Sequence, residues 1–136
     1  MQQTQTPEHH ESRPAEVTYR PQRVAQARQA ASQFLARLHP SLSASAAQDV
    51  VLLVSELVTN AIRHAGGVTA MVLRARPDSI EVVVEDPSPV APQDRSPDLT
   101  GRTGGFGWPM VRRLARAVAV QRGPGGGKVI VACVAR

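Results

Sequence analysis

Val24, Ala27, Ala31, Phe34, Leu35 and Leu38 recur at three- and four-residue intervals, the period of a helix with one apolar face. The spacing predicts a first helix that opens at Pro21, where a missing N–H does no harm, and stops at His39-Pro40. A second helix is centred on Val50, Val54, Leu57, Val58, Ala61 and Ile62. It opens at Ser45-Ala-Ala-Gln48, whose hydroxyl and amide match a capping box, runs to about His64 and is released by Gly66-Gly67. From there the period shortens. Residues 68–75 and 80–85 read as two strands, and the brief turn Pro77-Asp78-Ser79 makes them an antiparallel hairpin. Trp108-Pro109-Met110-Val111 opens a third helix through about Ala117, with Val111, Leu114 and Val118 on one side. A second hairpin, residues 117–122 and 128–134, folds about Gly123-Pro-Gly-Gly-Gly127, and Ala15-Glu-Val-Thr-Tyr19 adds an edge strand.

Two stretches carry no period. Residues 1–14 are rich in Gln, Thr, Glu, His and Pro and are expected to form a disordered tail ahead of a single domain over 15–136. Residues 86–107 hold Pro87, Pro89, Pro92 and Pro97 together with Gly101, Gly104, Gly105 and Gly107; an irregular loop of that length inside a compact domain is usually functional or mobile. The element order predicts a two-layer α/β sandwich in which three helices cover one face of a mixed, mostly antiparallel sheet. With 136 residues and 42% apolar composition the chain can bury one core and is too short for two ordinary domains.

Composition narrows the function. No apolar run approaches a membrane span, the first twelve residues are polar and acidic, and the lone Cys133 can form no internal disulfide, so a cytoplasmic protein is expected. The net charge of +5 comes mainly from arginines dispersed from Arg13 to Arg136, and aromatics are only 3% of residues. Neither a basic run nor a series of stacking side chains is present, so direct nucleic-acid binding is not expected. A local anionic partner, such as a triphosphate or an acidic protein, accounts for the balance equally well.

Three elements point to chemistry. In Val54-Ser-Glu-Leu-Val-Thr-Asn60-Ala-Ile-Arg-His64, Glu56 and Asn60 stand four residues apart, about 40° from each other on one helix face. A general base and a metal ligand can thus address one small volume. Val82-Val-Val-Glu-Asp86 is a strand ending in an acid before a loop, and Gly104-Gly-Phe-Gly107 runs into a helix N-terminus, where free N–H groups and the dipole suit a phosphate. There is no GxxxxGK[ST], so this is not an ordinary P-loop.

Over roughly residues 16–135 the chain resembles the GHKL ATP-binding superfamily of gyrase, heat-shock chaperone, histidine kinase and mismatch-repair ATPases. It is most similar to the small bacterial anti-sigma factors that are also serine protein kinases, because Ser55-Glu-Leu-Val-Thr-Asn60-Ala-Ile-Arg-His64 resembles the first box of their ATP site. The resemblance implies that Asn60 holds a Mg²⁺ ion bridging the phosphates and that Glu56 takes the proton of an attacking hydroxyl. It implies that Asp86 reads the adenine amino group and that Gly104, Gly105, Phe106, Gly107 and Trp108 belong to a phosphate-holding lid, with Arg102 in reach of a terminal phosphate. Arg28, six residues before Phe34, stands where the family has a partner-contacting arginine. Two departures accompany it. Asp86-Pro-Ser-Pro-Val90 lacks the glycines usual after that aspartate, and Gly126-Gly-Lys128-Val129 offers no threonine for the adenine, a place Ser88 can fill.

The function implied is an ATP-binding, anti-sigma-factor-like regulator that phosphorylates a serine or threonine of an antagonist protein. A sigma factor and that antagonist would be its partners, with ATP and Mg²⁺ as cofactors and a homodimer as one possible assembly. The alternative from another class is a nucleotide-gated binding module of the same fold that performs no transfer.

Overall fold

The computed structural model describes residues 15–92 and 107–136. The expected tail over 1–14, and Arg102, Gly104, Gly105 and Phe106, lie outside the described residues. The order of elements is β1 (Ala15–Tyr19), α1 (Val24–Ala36), α2 (Ala44–Ala65), β2 (Ala70–Ala75), β3 (Ser79–Asp86), α3 (Gly107–Leu114), β4 (Ala117–Arg122) and β5 (Lys128–Ala135). The strands form one sheet in the order β1-β2-β3-β5-β4. This is the expected α/β sandwich, with every pairing antiparallel. The chain leaves β3, crosses through α3 to β4 at the edge, and returns as β5 into the gap between them.

Alternation decides which strand residues face the helices. Along β3, Ile80, Val82, Val84 and Asp86 are buried while Glu81, Val83 and Glu85 are half-exposed. Along β5 the buried set is Lys128, Ile130, Ala132 and Val134. The register joins them, Val84 opposite Ile130 and Asp86 opposite Lys128, so each strand contributes one charged residue to an otherwise apolar face. On the other face Arg74 of β2 bonds Glu16 of β1 and Glu81 of β3, tying three strands together.

Helix α2 lies against that apolar face with Leu53, Val54, Leu57, Val58 and Ala61 buried, and α1 packs beside it through Ala27, Ala31, Phe34 and Leu35. By length and mean hydropathy, 22 residues and 1.2, α2 is apolar enough to cross a membrane; here its apolar side is the core of the sandwich. The helix starts one residue before the expected Ser45. Ser43 is the cap, its hydroxyl accepting from the Ala46 N–H at 3.1 Å, because the serine two positions earlier stands at the turn where extended backbone gives way to helix. At the other end Gly66 takes φ 81°, a left-handed turn that glycine adopts without a Cβ clash. Helix α1 begins at Val24 and not at Pro21. The Gln26 side-chain oxygen accepts from the N–H groups of Gln22 and Arg23, which satisfies the first-turn donors just ahead of the helix and leaves Pro21 in the approach. Helix α3 ends at Leu114, three residues short of the expected limit, since Ala117 already pairs with Cys133.

Leu57 is 1% exposed at the centre of this core. Leu57→Ala is expected to cost about 2–5 kcal/mol of unfolding free energy, against less than about 0.5 kcal/mol for a polar change at the 39%-exposed Leu52. Urea unfolding followed by circular dichroism measures both.

Candidate functional site

The middle of α2 presents Glu56 and Asn60 on the side away from its buried stripe, and both are half-buried. What covers them is the start of α3. A Cβ placed on Gly107 would lie 3.0 Å from Glu56 Oε1 and 3.2 Å from Asn60 Oδ1, so the helix enters in contact with both side-chain oxygens. With glycine there, neither side chain has to give way. The first turn of α3 then leaves the N–H groups of Gly107 and Trp108 without carbonyl partners inside the helix, while Pro109 has none to leave. A carboxylate, a carboxamide oxygen and the positive end of a helix thereby share one small volume. An anion carrying a cation suits such a place: the N–H groups address the anion and Asn60 Oδ1 addresses the cation. Among the described residues no three of His, Cys, Asp and Glu converge on a metal site. A magnesium ion held here would take Asn60 as a protein ligand and most of its coordination from phosphate and water, its usual habit. The side chain of Trp108 turns partly into the core.

A second cluster stands where β3 ends. Asp86 is 3% exposed, and its Oδ1 accepts from the Ser88 N–H at 2.9 Å and from Lys128 Nζ at 3.0 Å. Lys128, 7% exposed, also approaches the Ser88 carbonyl at 3.5 Å. Ser88 Oγ accepts from the Val90 N–H at 3.2 Å, which orders the proline-rich exit. Backbone contact makes this corner rigid: a Cβ on Gly127 would fall 2.0 Å from the Asp86 carbonyl oxygen, so only glycine allows β5 to start so close to the end of β3. The same corner lies at the end of the sandwich where α2 stops, since the Thr69 N–H, four residues past the helix, donates to the Glu85 carbonyl at 2.8 Å. Glu56, Asn60 and Gly107 therefore form one group and Asp86 with Ser88 another.

The family model for a histidine kinase-like ATPase domain matches residues 17–133. The chain belongs to this family. No curated protein matches the sequence. As a histidine kinase-like ATPase domain of the GHKL superfamily it is a nucleotide-binding module, and membership implies ATP as its nucleotide. The oxygens of Glu56 and Asn60 beside the N-terminus of α3 are of the donor type that suits a phosphate carrying its cation.

Lys128 was not among the sequence candidates. Two signals mark it: it is the one lysine among the sixteen basic residues, and it stands in phase with Ile130, Ala132 and Val134, the inward side of a strand. Also missed was a groove of about 740 Å³ between α1 and α2, with Arg28, Ser55, Glu56 and Thr59 at one end and Leu35, Leu42, Val51 and Leu52 towards the other. Arg28 Nη1 comes within 3.4 Å of Ser55 Oγ, which places the guanidinium beside the groove. Cys133 is on the far side of the sheet, in phase with Val129 and Val131. Burial pushes its thiol up, and the nearby Glu81 adds to the effect, so the reactive thiolate is disfavoured at neutral pH.

Gly107→Ala should weaken Mg·ATP binding by about tenfold or more, about 1.4 kcal/mol, while changing unfolding free energy by less than about 1 kcal/mol, because the methyl group displaces the flexible ends of Glu56 and Asn60 and not the core. Isothermal titration and thermal unfolding on the same preparation separate the two effects.

Proposed function

We propose that this domain is an anti-sigma-factor-like regulator that binds ATP with magnesium and phosphorylates a serine or threonine of an antagonist protein. One observation supports the reading most: Glu56 touches Gly107 at the entry of α3 and at the same time lines the groove that holds Arg28. A base that serves a transfer between two bound molecules must face both, and Glu56 faces the anion-suited helix end on one side and an open, protein-sized surface on the other.

The residues divide the work. When bound, the nucleotide and its magnesium ion supply the phosphoryl group and neutralise its charge. Asn60 would hold the cation through Oδ1, and the N–H groups of Gly107 and Trp108 would orient the phosphate oxygens. The Glu56 carboxylate accepts the proton of a hydroxyl arriving from the groove, which raises the nucleophilicity of that oxygen as it approaches. Arg28 offers the partner a cation for an acidic side chain, and Leu35, Leu42 and Leu52 give it apolar contact. At the other cluster, Asp86 and Ser88 stand for the base of the nucleotide.

A second reading is a nucleotide-gated binding module of the same fold without transfer. Radiolabelled ATP incubated with the protein and candidate antagonists discriminates them. Transfer to the partner is expected in the wild type. In Glu56→Ala it should fall at least about a hundredfold, within the range that positioned bases contribute, with ATP affinity changed less than about threefold. An unchanged transfer rate in that variant defeats the mechanism, and tight ATP binding with no phosphoprotein in the wild type favours the second reading.

A further inference from the structure

The ion pair at the end of β3 has unspent hydrogen-bonding capacity in a place where such capacity is costly. The Asp86 side chain is 2% exposed and that of Lys128 9%. Both bonds that Asp86 receives from the described residues end on Oδ1, so Oδ2 remains an acceptor with no partner among them. Lys128 carries three N–H donors and directs two, one to Asp86 and one, at a long 3.5 Å, to the Ser88 carbonyl. Buried polar groups are nearly always satisfied, and a group left unpaired in such a place loses about 1–3 kcal/mol. The pair therefore offers one acceptor and one donor side by side, where β3 ends and β5 begins.

We propose that Lys128 is a specificity-determining residue of the nucleotide site, donating directly to the purine N1 while Asp86 Oδ2 accepts from the 6-amino group. This rests on the ATP-binding reading above. An adenine edge presents the complementary order, an N–H donor beside a ring-nitrogen acceptor. A charged donor to N1 would serve a site whose last glycine stretch, Gly126-Gly-Lys128-Val129, supplies no threonine where the resemblance implies one. It also explains the conjunction of Lys128 with Gly127: the absent Cβ lets the start of β5 come against the Asp86 carbonyl, which places the root of the Lys128 side chain opposite Asp86 in the strand register.

The test is a ligand–protein double cycle with Mg·ATP and Mg·1-deaza-ATP, which keeps the 6-amino group and replaces N1 by C–H. Both are titrated calorimetrically into the wild-type chain and into Lys128→Thr, with circular dichroism to establish that the variant folds. In the wild type 1-deaza-ATP should bind at least tenfold more weakly than ATP; in Lys128→Thr that preference should shrink to about threefold or less. Equal affinity of the two nucleotides for the wild type overturns the proposal, as does a preference that survives intact in Lys128→Thr. Should the variant not fold, the wild-type comparison alone decides. Absence of ATP binding would overturn the ATP-binding reading itself, whereas ATP binding without discrimination at N1 removes only the role of Lys128.

Discussion

Everything at the candidate site depends on one close approach, the start of α3 coming so near α2 that a Cβ on Gly107 would stand 3.0 Å from Glu56 Oε1 and 3.2 Å from Asn60 Oδ1. Helix α2 is held firmly enough to make that approach definite. Its inner stripe, Leu53, Leu57 and Val58 among others, is immobilised against the sheet, Ser43 caps one end and Gly66 turns the other. The outer stripe of the same rod is thus as well placed as the inner one. Two polar residues one turn apart become a candidate site because a second helix begins against them, and a glycine at the point of arrival keeps the approach close.

The corner at the end of β3 obeys the opposite logic. Burying an ion pair costs several kcal/mol of desolvation that the mutual attraction of Asp86 and Lys128 only partly returns. A purely structural corner would be better filled by apolar residues in phase with Val84 and Ile130. The fold nevertheless brings the strands together through Gly127, at a distance that any Cβ would forbid, and so holds the charged pair in one geometry. Rigidity at both ends of the site has a common cause: in each case backbone approaches a polar group through a glycine.

Much of this was legible in the sequence. The helical stripe of α2, the alternation of β3 and β5, the two hairpins and the edge strand all appear as spacing of apolar residues, and Glu56 and Asn60 are neighbours by helix period alone. Cap positions were less so: Ser43 and Ser45 are both good caps by type, and the choice between them depends on where the preceding chain must turn. Proline at 21 fits a first helical turn, yet the bonds made by Gln26 place the start at Val24. Lys128 escaped because a lysine at the mouth of a glycine turn reads as solvated until the register sets it opposite Asp86. The groove between α1 and α2 has no signature in the sequence. It exists because Ser32, Ala36, Ala47 and Ser55, small residues spread over two helices, leave unfilled the space that larger side chains would occupy.

The strand order connects these observations. Because β5 enters between β3 and β4, the chain must leave the sheet after Asp86 and return through α3, so the residue that ends β3 and the residue that begins α3 bracket one excursion. The end of α2 is fastened to the same corner by the Thr69–Glu85 bond. From Asn60 to Ala65 the helix rises about 7.5 Å, so Asn60 stands about a turn and a half from the end that meets β3. An elongated ligand with an anionic head at Gly107 and a polar edge at Asp86 would lie along this last part of α2, touching elements that are distant in sequence and fixed to one another by the core. The groove beside Glu56 sits on the outer side of that same helix, so one side chain, Glu56, borders both the groove and the helix end at Gly107.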